Sequence, residues 1–239
     1  MEGQNTFGLS PERIAQLEEN FRRVRERIDA ACERSGNRDV RLVAATKYAS
    51  AAEINYAYRY LGLESIGENR VQALNEKFDS LEKGLDIQFI GSLQTNKVKN
   101  IIGRVSLIQS LDSLHLAKEI DRLSQKNGLV TDCLVELNIG GEENKGGISP
   151  DEVSGFLDEL EAYKGLRAVG LMTMAPVSDS DAYRKYFSET YRIYIDIVKK
   201  KIHNSIENPI LSMGMSGSFE EAIECGATMV RIGSALFRE

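Results

Sequence analysis

Residues 211–237 read LSMGMSGSFEEAIECGATMVRIGSALF, and the repeating unit of the fold is clearest in this stretch. Two short apolar runs, 210–213 and 229–233, flank a helical pattern from Ser218 to Cys225, and each run ends in small residues. A strand, a helix and a second strand in this order predict a parallel βαβ unit, because parallel strands need a crossover connection.

The same alternation of strand and helix extends back through the chain. The pattern predicts six earlier strands, at 40–46, 65–67, 87–91, 106–109, 132–139 and 166–173. Helical segments follow them, at 51–60, 69–81, 94–102, 113–126, 149–163 and 180–203. An additional helix over 10–35 precedes the first strand, with Ser10 as its N-cap, Pro11 at its first position and apolar residues at helical spacing.

Eight strands, with a helix after each of the first seven, predict an α/β protein with one domain over 1–239. The fold class is a (β/α)8 TIM barrel whose extra N-terminal helix supplies the eighth outer helix. An open, doubly wound sheet is the competing architecture. It is the weaker one, because no glycine-rich GxGxxG pattern follows the first strand.

Composition excludes several classes of function. No apolar run approaches the roughly 20 residues that a membrane helix needs, and the N-terminus has no secretory signal. A net charge of −6 argues against non-specific nucleic-acid binding. The three cysteines lie far apart, and two histidines are too few for a zinc site built on several of them. We therefore expect a reduced, cytoplasmic protein without a bound metal.

Lys47 stands at the C-terminal end of the first predicted strand, on the same face as Val43 and Ala45. If that face points into the barrel, Lys47 points to the mouth, where active sites of such barrels lie. Partial withdrawal from water lowers the pKa of a lysine, and the neutral amine attacks aldehydes. Lys47 is therefore a candidate Schiff-base lysine. A solvated loop lysine is the alternative from this residue alone.

The loops after strands seven and eight are rich in small residues: Gly214, Ser216, Gly217, Gly233 and Ser234. Backbone N–H groups in such loops approach a ligand closely, and phosphate sites in barrels often form from these two loops. Tight turns that need glycine for geometry alone are the alternative. Ser218, followed by Glu221, predicts a capping box at the start of the helix between the strands.

A set of motifs in order along nearly the whole chain carries a family resemblance. They are ATKYAS (45–50), IGENRVQ (66–72), FIGSLQTNKVK (89–99), IQSLDS (108–113), VELNIGGEENKGG (135–147), GLMTMAP (170–176) and SMGMSGSFEEAIECGATMVRIGSALF (212–237). With these motifs the sequence resembles the pyridoxal phosphate homeostasis family, the YggS/PROSC-type proteins, which are related to the N-terminal barrel of alanine racemase. The resemblance implies a fold-type III barrel that binds pyridoxal 5′-phosphate (PLP).

The resemblance also implies roles by position. Lys47 matches the lysine that holds PLP as a Schiff base, and Ser216 matches the phosphate-binding serine. The backbone amides of Gly233 and Ser234 match those that hold the phosphate, and Arg231 matches the arginine that faces the pyridine nitrogen. The pocket-lining positions implied are Asn69 and Met213. The sequence departs from the family at two positions. It has Ser218 where aspartate is common in the family, and Arg238 where glycine is common.

Three functions follow for comparison. The resemblance implies a protein that buffers or delivers PLP inside the cell, with little or no turnover and with PLP-dependent apoenzymes as partners. We expect a monomer, because the sequence shows no domain that would form the usual dimer interface of a racemase. An amino-acid racemase or decarboxylase is the alternative, but racemisation needs a second base. The sequence offers no added domain for it, although Tyr48 stays open as a substitute. A sugar-phosphate barrel enzyme would need paired acids, and Glu68 and Glu136 near strand ends form no persuasive pair.

Overall fold

The computed structural model describes residues 7–37, 40–142, 146–198, 201 and 208–238. Eight parallel strands pair in chain order, and the last pairs with the first to close a barrel. The strands are β1 (Arg41–Ala45), β2 (Ser65–Glu68), β3 (Asp86–Phe89), β4 (Leu107–Leu111), β5 (Thr131–Leu137), β6 (Leu166–Thr173), β7 (Ile210–Ser212) and β8 (Met229–Ile232). The predicted TIM barrel is therefore confirmed.

The helices form an outer layer around the strands. They are α1 (Pro11–Ser35), α2 (Ala51–Tyr60), α3 (Val71–Lys77), α4 (Leu114–Lys126), α5 (Val153–Leu160), α6 (Ser180–Ile193), α7 (Phe219–Glu224) and α8 (Ser234–Phe237). The helix predicted over 94–102 is wrong in type, because Thr95–Asn100 forms a 3₁₀-helix. The helix predicted over 180–203 changes to π-helix at Tyr194–Val198, and residues 199, 200 and 202–203 lie outside the described residues.

Strand alternation divides the apolar side chains into two cores. The small inner core fills the barrel with six buried residues, Val43, Leu107, Leu134, Val169, Met172 and Met229. The large outer core lies between strands and helices, and on β5 it receives Cys133 and Val135, which flank the inward Leu134. This alternation fixes which residues at the strand ends point into the mouth of the barrel.

The helix α1 packs against α7 and α8, in the place predicted for it. Its N-cap Ser10 accepts a hydrogen bond from the N–H of Arg13, and Gly36 ends it in the left-handed conformation. Asn20 is buried on α1 and donates through Nδ2 to the carbonyl of Leu236 at 3.2 Å. The first helix thereby fixes the segment that follows β8 at the mouth.

Phe21 is the aromatic anchor of this contact, and its ring meets that of Phe237 edge to face with centroids 5.8 Å apart. Replacing Phe21 with alanine leaves a cavity, and we expect Phe21→Ala to lower the free energy of unfolding by about 3–5 kcal/mol. Urea unfolding measures this change. The control Val177→Ala, at a side chain 94% exposed, should change it by less than about 0.5 kcal/mol. A similar loss in both variants would contradict the packing role of α1.

Candidate functional site

The C-terminal ends of β7, β8 and β1 lie side by side, because β7 pairs with β8 and β8 pairs with β1. Lys47 lies two residues beyond the end of β1, Ser216 lies in the loop after β7, and Gly233 directly follows β8. The barrel therefore brings three separate parts of the sequence to one side of its mouth.

Ser216 joins the loop after β7 to the first turn of α8. Its Oγ accepts hydrogen bonds from the backbone N–H of Gly233 at 3.2 Å and of Ala235 at 3.4 Å. A hydroxyl that accepts both bonds keeps its own proton for another acceptor. The N–H groups of a helical first turn also carry partial positive charge. Together they form a concentration of donors suited to an anionic group.

We call Ser216 and the backbone N–H groups of residues 233–235 the donor cradle, and three glycines lie in its loops. A Cβ on Gly233 would lie 2.9 Å from the carbonyl oxygen of Ala45, so the loop after β8 packs directly on β1. Gly214 has a φ of +91°, and a Cβ there would lie 2.5 Å from the Cβ of Ala222. At Gly217, by contrast, a Cβ would meet nothing within 4 Å. The two loops are tightly packed at their base and open beside Ser216.

Ser218 is at the N-cap position of α7, but the predicted capping box is wrong. Its side chain makes no capping hydrogen bond. The Oγ of Ser218 instead accepts from the backbone N–H of Met215 at 3.2 Å. The hydroxyl therefore closes the loop that carries Ser216 rather than the helix that follows it.

Arg231 lies on the inner face of β8 and is 3% exposed. Its Nη1 donates to Ser212 Oγ at 2.6 Å, and its Nη2 donates to the carbonyl of Thr173 at 2.7 Å. No salt bridge to Arg231 is found in the described part of the chain. Burial lowers the pKa of Arg231 to about 10, with the charge of Glu136 acting in the opposite direction, so the guanidinium stays cationic at neutral pH.

Glu136 is a buried acid near this cation. It lies two residues after the inward Leu134 on β5, which places it on the inner face of the strand. Burial, followed by the charge of Asp112, raises the pKa of Glu136 to about 7, and Arg231 opposes the rise. The sequence analysis names Glu136 near a strand end but does not place it beside Arg231, although its alternation with Leu134 indicates the inner face of the strand.

Glu68 lies on the other side of the barrel wall, so it forms no acid pair with Glu136. Its Oε1 accepts from Thr46 Oγ1 at 2.6 Å and from Lys77 Nζ at 2.8 Å. Lys77 also donates to the carbonyl oxygen of Thr46 at 2.8 Å. This cluster binds α3 to the residue before Lys47 and fixes the backbone from which Lys47 projects.

The side chain of Lys47 is exposed to water at the mouth, which corrects the expectation of an amine partly withdrawn from it. The strand β1 ends at Ala45, so Lys47 lies in the turn rather than on the strand. Its Nζ lies 5.0 Å from the ring centroid of Tyr48, and the guanidinium carbon of Arg238 lies 4.0 Å from the same centroid. Two cations therefore contact one aromatic ring at the rim.

The two pocket-lining predictions have different settings. Asn69 directly follows β2, is partly exposed and borders a cavity of about 660 Å³ beside α3. Met213 is fully buried in the outer core, and its N–H donates to the carbonyl of Met229 at 3.1 Å. Contact of either residue with a ligand stays a prediction. Among the described residues, no group of three histidine, cysteine or acidic side chains could hold a metal ion.

Comparison with known proteins supports the resemblance over nearly the whole chain. The family profile described as alanine racemase, N-terminal domain, matches residues 13–239. A pyridoxal phosphate homeostasis protein from Aquifex aeolicus is 42% identical over 226 residues, which cover 92% of this chain and 97% of the relative.

Two solved structures have the same fold. An unknown protein from Bifidobacterium adolescentis aligns with a TM-score of 0.88 at 32% identity, covering 96% of this chain and 97% of the other. PipY of Synechococcus elongatus, solved with PLP bound, aligns with a TM-score of 0.79 at 26% identity. That alignment covers 93% of this chain and all of PipY. Within the residues that the structure describes, no helix is long and apolar enough to cross a membrane.

The raised pKa of Glu136 predicts a pH dependence of stability. Below about pH 4.5 the carboxyl is protonated in both the folded and the unfolded chain. Between about 4.5 and 7 only the folded chain retains the proton, so the free energy of unfolding falls as the pH rises, and above 7 the loss is complete. The loss amounts to about 3 kcal/mol.

Glu136→Gln keeps the shape of the side chain without its charge. We therefore expect the free energy of unfolding of this variant, measured against that of the wild type, to be larger at pH 8 than at pH 5. Urea unfolding of both proteins at the two pH values measures this difference. Glu159→Gln, on the exposed side of α5, is the matched control and should leave the pH dependence unchanged. An identical pH dependence in Glu136→Gln and the wild type would show that Glu136 titrates normally.

Proposed function

Because the chain belongs to the family of pyridoxal phosphate homeostasis proteins, we propose that it binds PLP at the mouth of its barrel and takes part in intracellular PLP homeostasis. It would hold and release the cofactor, affect amino-acid and keto-acid balance indirectly, and have little or no catalytic turnover. One observation carries the proposal: an amine, a cradle of N–H and O–H donors and a buried guanidinium lie together at the ends of β1, β7 and β8.

The donor cradle fits a phosphate group. Ser216 would donate its hydroxyl proton, and the backbone N–H groups of Gly233 and Ser234 would face the phosphate oxygens at the start of α8. In the structure the one N–H of Gly233 donates to Ser216 Oγ and joins the two loops, so phosphate binding would turn this donor from the hydroxyl to the phosphate. The open space beside Gly217 leaves room for the group.

Arg231 fits the ring nitrogen of the cofactor. A guanidinium only donates hydrogen bonds, so it favours a pyridine nitrogen that accepts one and carries no proton. An unprotonated ring withdraws electrons more weakly than a ring paired with a carboxylate. Arg231 therefore supports binding while it disfavours carbanion chemistry, which is why we prefer homeostasis to racemisation or decarboxylation.

When bound, PLP supplies an aldehyde that a neutral amine can attack. We propose Lys47 as that amine, holding PLP as a Schiff base, with Asn69 and Met213 lining the pocket. The Lys77, Glu68 and Thr46 cluster would keep the Lys47 backbone in place during binding and release. We further propose a monomer that delivers PLP to dependent apoenzymes in the cytoplasm, where the three free cysteines stay reduced.

Lys47→Ala should abolish covalent attachment of PLP, because it removes the only group proposed to bond with the aldehyde. Absorbance spectra after addition of PLP, borohydride reduction and peptide mass mapping measure attachment. The wild type should carry the reduced cofactor on the Lys47 peptide. Lys126→Ala, an exposed lysine in the last turn of α4, should behave like the wild type. Unchanged attachment in Lys47→Ala would exclude Lys47 as the anchor.

Ser216→Ala should weaken binding through the phosphate alone. A hydrogen bond to a charged group contributes about 1.5–3 kcal/mol, so we expect the dissociation constant of PLP to rise about 10- to 100-fold. Pyridoxal, which has the same ring and aldehyde but no phosphate, should bind the variant and the wild type equally. Titration followed by absorbance measures both constants. An equal loss for both ligands would show that Ser216 acts through the loop structure rather than the phosphate.

A further inference from the structure

A line of polar side chains crosses the interior of the barrel, beside the six apolar residues of the inner core. It begins at the buried guanidinium of Arg231 near the mouth and ends at Asp86, the first residue of β3 at the opposite end. Between them lie Ser212, Gln109 and Gln88, which are at most 2% exposed. Such groups are costly to bury unless each is hydrogen-bonded.

Every member is hydrogen-bonded to the next. Arg231 Nη1 donates to Ser212 Oγ at 2.6 Å, and Ser212 Oγ donates to Gln109 Oε1 at 2.7 Å. Gln109 Nε2 donates to Gln88 Oε1 at 2.6 Å, and Gln88 Nε2 donates to Asp86 Oδ2 at 2.7 Å. We call these five residues the barrel relay.

The direction of the barrel relay is fixed by its two charged ends. Arg231 can only donate and ionised Asp86 can only accept, so each hydroxyl and amide between them must accept on one side and donate on the other. Turning the Gln109 amide would place its oxygen against the oxygen of Gln88 and lose that bond. Each amide dipole therefore has its negative end towards the cation and its positive end towards the carboxylate.

Asp86 is itself held at the far end. Its Oδ2 also accepts from Ser65 Oγ at 2.8 Å, and its Oδ1 accepts from the hydroxyl of Ser106. Asp86 is partly exposed, so this end of the barrel relay is in contact with solvent. Arg231 has no carboxylate in direct contact within the described residues, and the barrel relay couples it to Asp86 through three neutral side chains instead.

We propose that Gln109 and Gln88 are positioning residues: with Ser212 and Asp86 they hold the Arg231 guanidinium in the orientation that presents its remaining N–H groups to the cofactor ring. Two of the five guanidinium N–H groups are used on Ser212 and Thr173, which leaves three outside these bonds. The inference rests on the proposed function only for the identity of the ligand. The hydrogen bonds that orient Arg231 are present whether or not PLP is the ligand.

The first test uses the ligand-free protein and is independent of PLP. Nuclear magnetic resonance of protein labelled with ¹⁵N arginine measures how fast the Arg231 guanidinium protons exchange with water. Gln109→Met keeps the approximate volume of the side chain but breaks the barrel relay. We expect it to speed proton exchange roughly tenfold, which corresponds to the loss of one hydrogen bond. Leu134→Met changes the same inner core outside the relay and should leave exchange unchanged.

Asp86→Asn is the second variant, and it tests the barrel relay independently if Gln109→Met fails to fold. It removes the charge at the far end of the barrel and keeps the side-chain shape, and it alters neither Arg231 nor the two groups that Arg231 bonds directly. Faster exchange in Asp86→Asn would support the proposal. Unchanged exchange in every folded relay variant would overturn it and leave the glutamines as packing residues.

The second test adds PLP labelled with ¹⁵N in the ring. We expect Gln109→Met to shift the ring nitrogen resonance and to raise the dissociation constant roughly tenfold, with no change in Leu134→Met. If the wild type fails to bind PLP, the proposed function is wrong. The exchange rates of the Arg231 protons would still test whether the barrel relay orients the guanidinium. Normal binding with identical resonances and constants in Gln109→Met and the wild type would overturn the positioning role.

Discussion

Hydrogen bonds between β8 and β1 close the barrel in a register that sets Arg231 beside Val43. This pairing places the turn with Lys47 next to the loop after β8, where Gly233 packs on Ala45 without space for a side chain. A slip of one residue would turn Arg231 to the outer core, because side chains alternate between the two faces. The amine, the donor cradle and the guanidinium therefore depend on one strand pairing.

The interior of the barrel holds buried polar groups that lower the stability of the fold. A barrel of this class is normally filled by branched apolar side chains. Here two glutamines, a serine, a glutamate and an arginine share that space with the inner core. Burial raises the pKa of Glu136, so its ionised form destabilises the fold. Among the described residues, Arg231 donates to Ser212 of the barrel relay rather than to a carboxylate. Departures from the apolar pattern of this kind are typical of functional sites.

The sequence was sufficient for the strands and their order, because each strand is a short apolar run bounded by turn residues. It also identified the residues of the donor cradle, although their binding of PLP stays a proposal. It could not show that Thr95–Asn100 forms a 3₁₀-helix or that Ser218 binds Met215, because packing around the mouth decides both. The barrel relay was also beyond it. Alternation shows that Gln88 and Gln109 face inward, but not which atoms they bind.

The exposure of Lys47 supports the proposal that the protein exchanges its cofactor rather than uses it in turnover. Catalytic sites gain from excluding water, because electrostatic interactions strengthen in a dry site. Lys47 is exposed in the turn after β1, so water reaches the amine that would hold the cofactor. Attachment of an aldehyde to an amine releases water and is reversed by water, so an accessible linkage can form and break readily. The buried part of the site, Arg231 with its relay, would then supply affinity, while the exposed part permits release, as a protein that stores and delivers PLP requires.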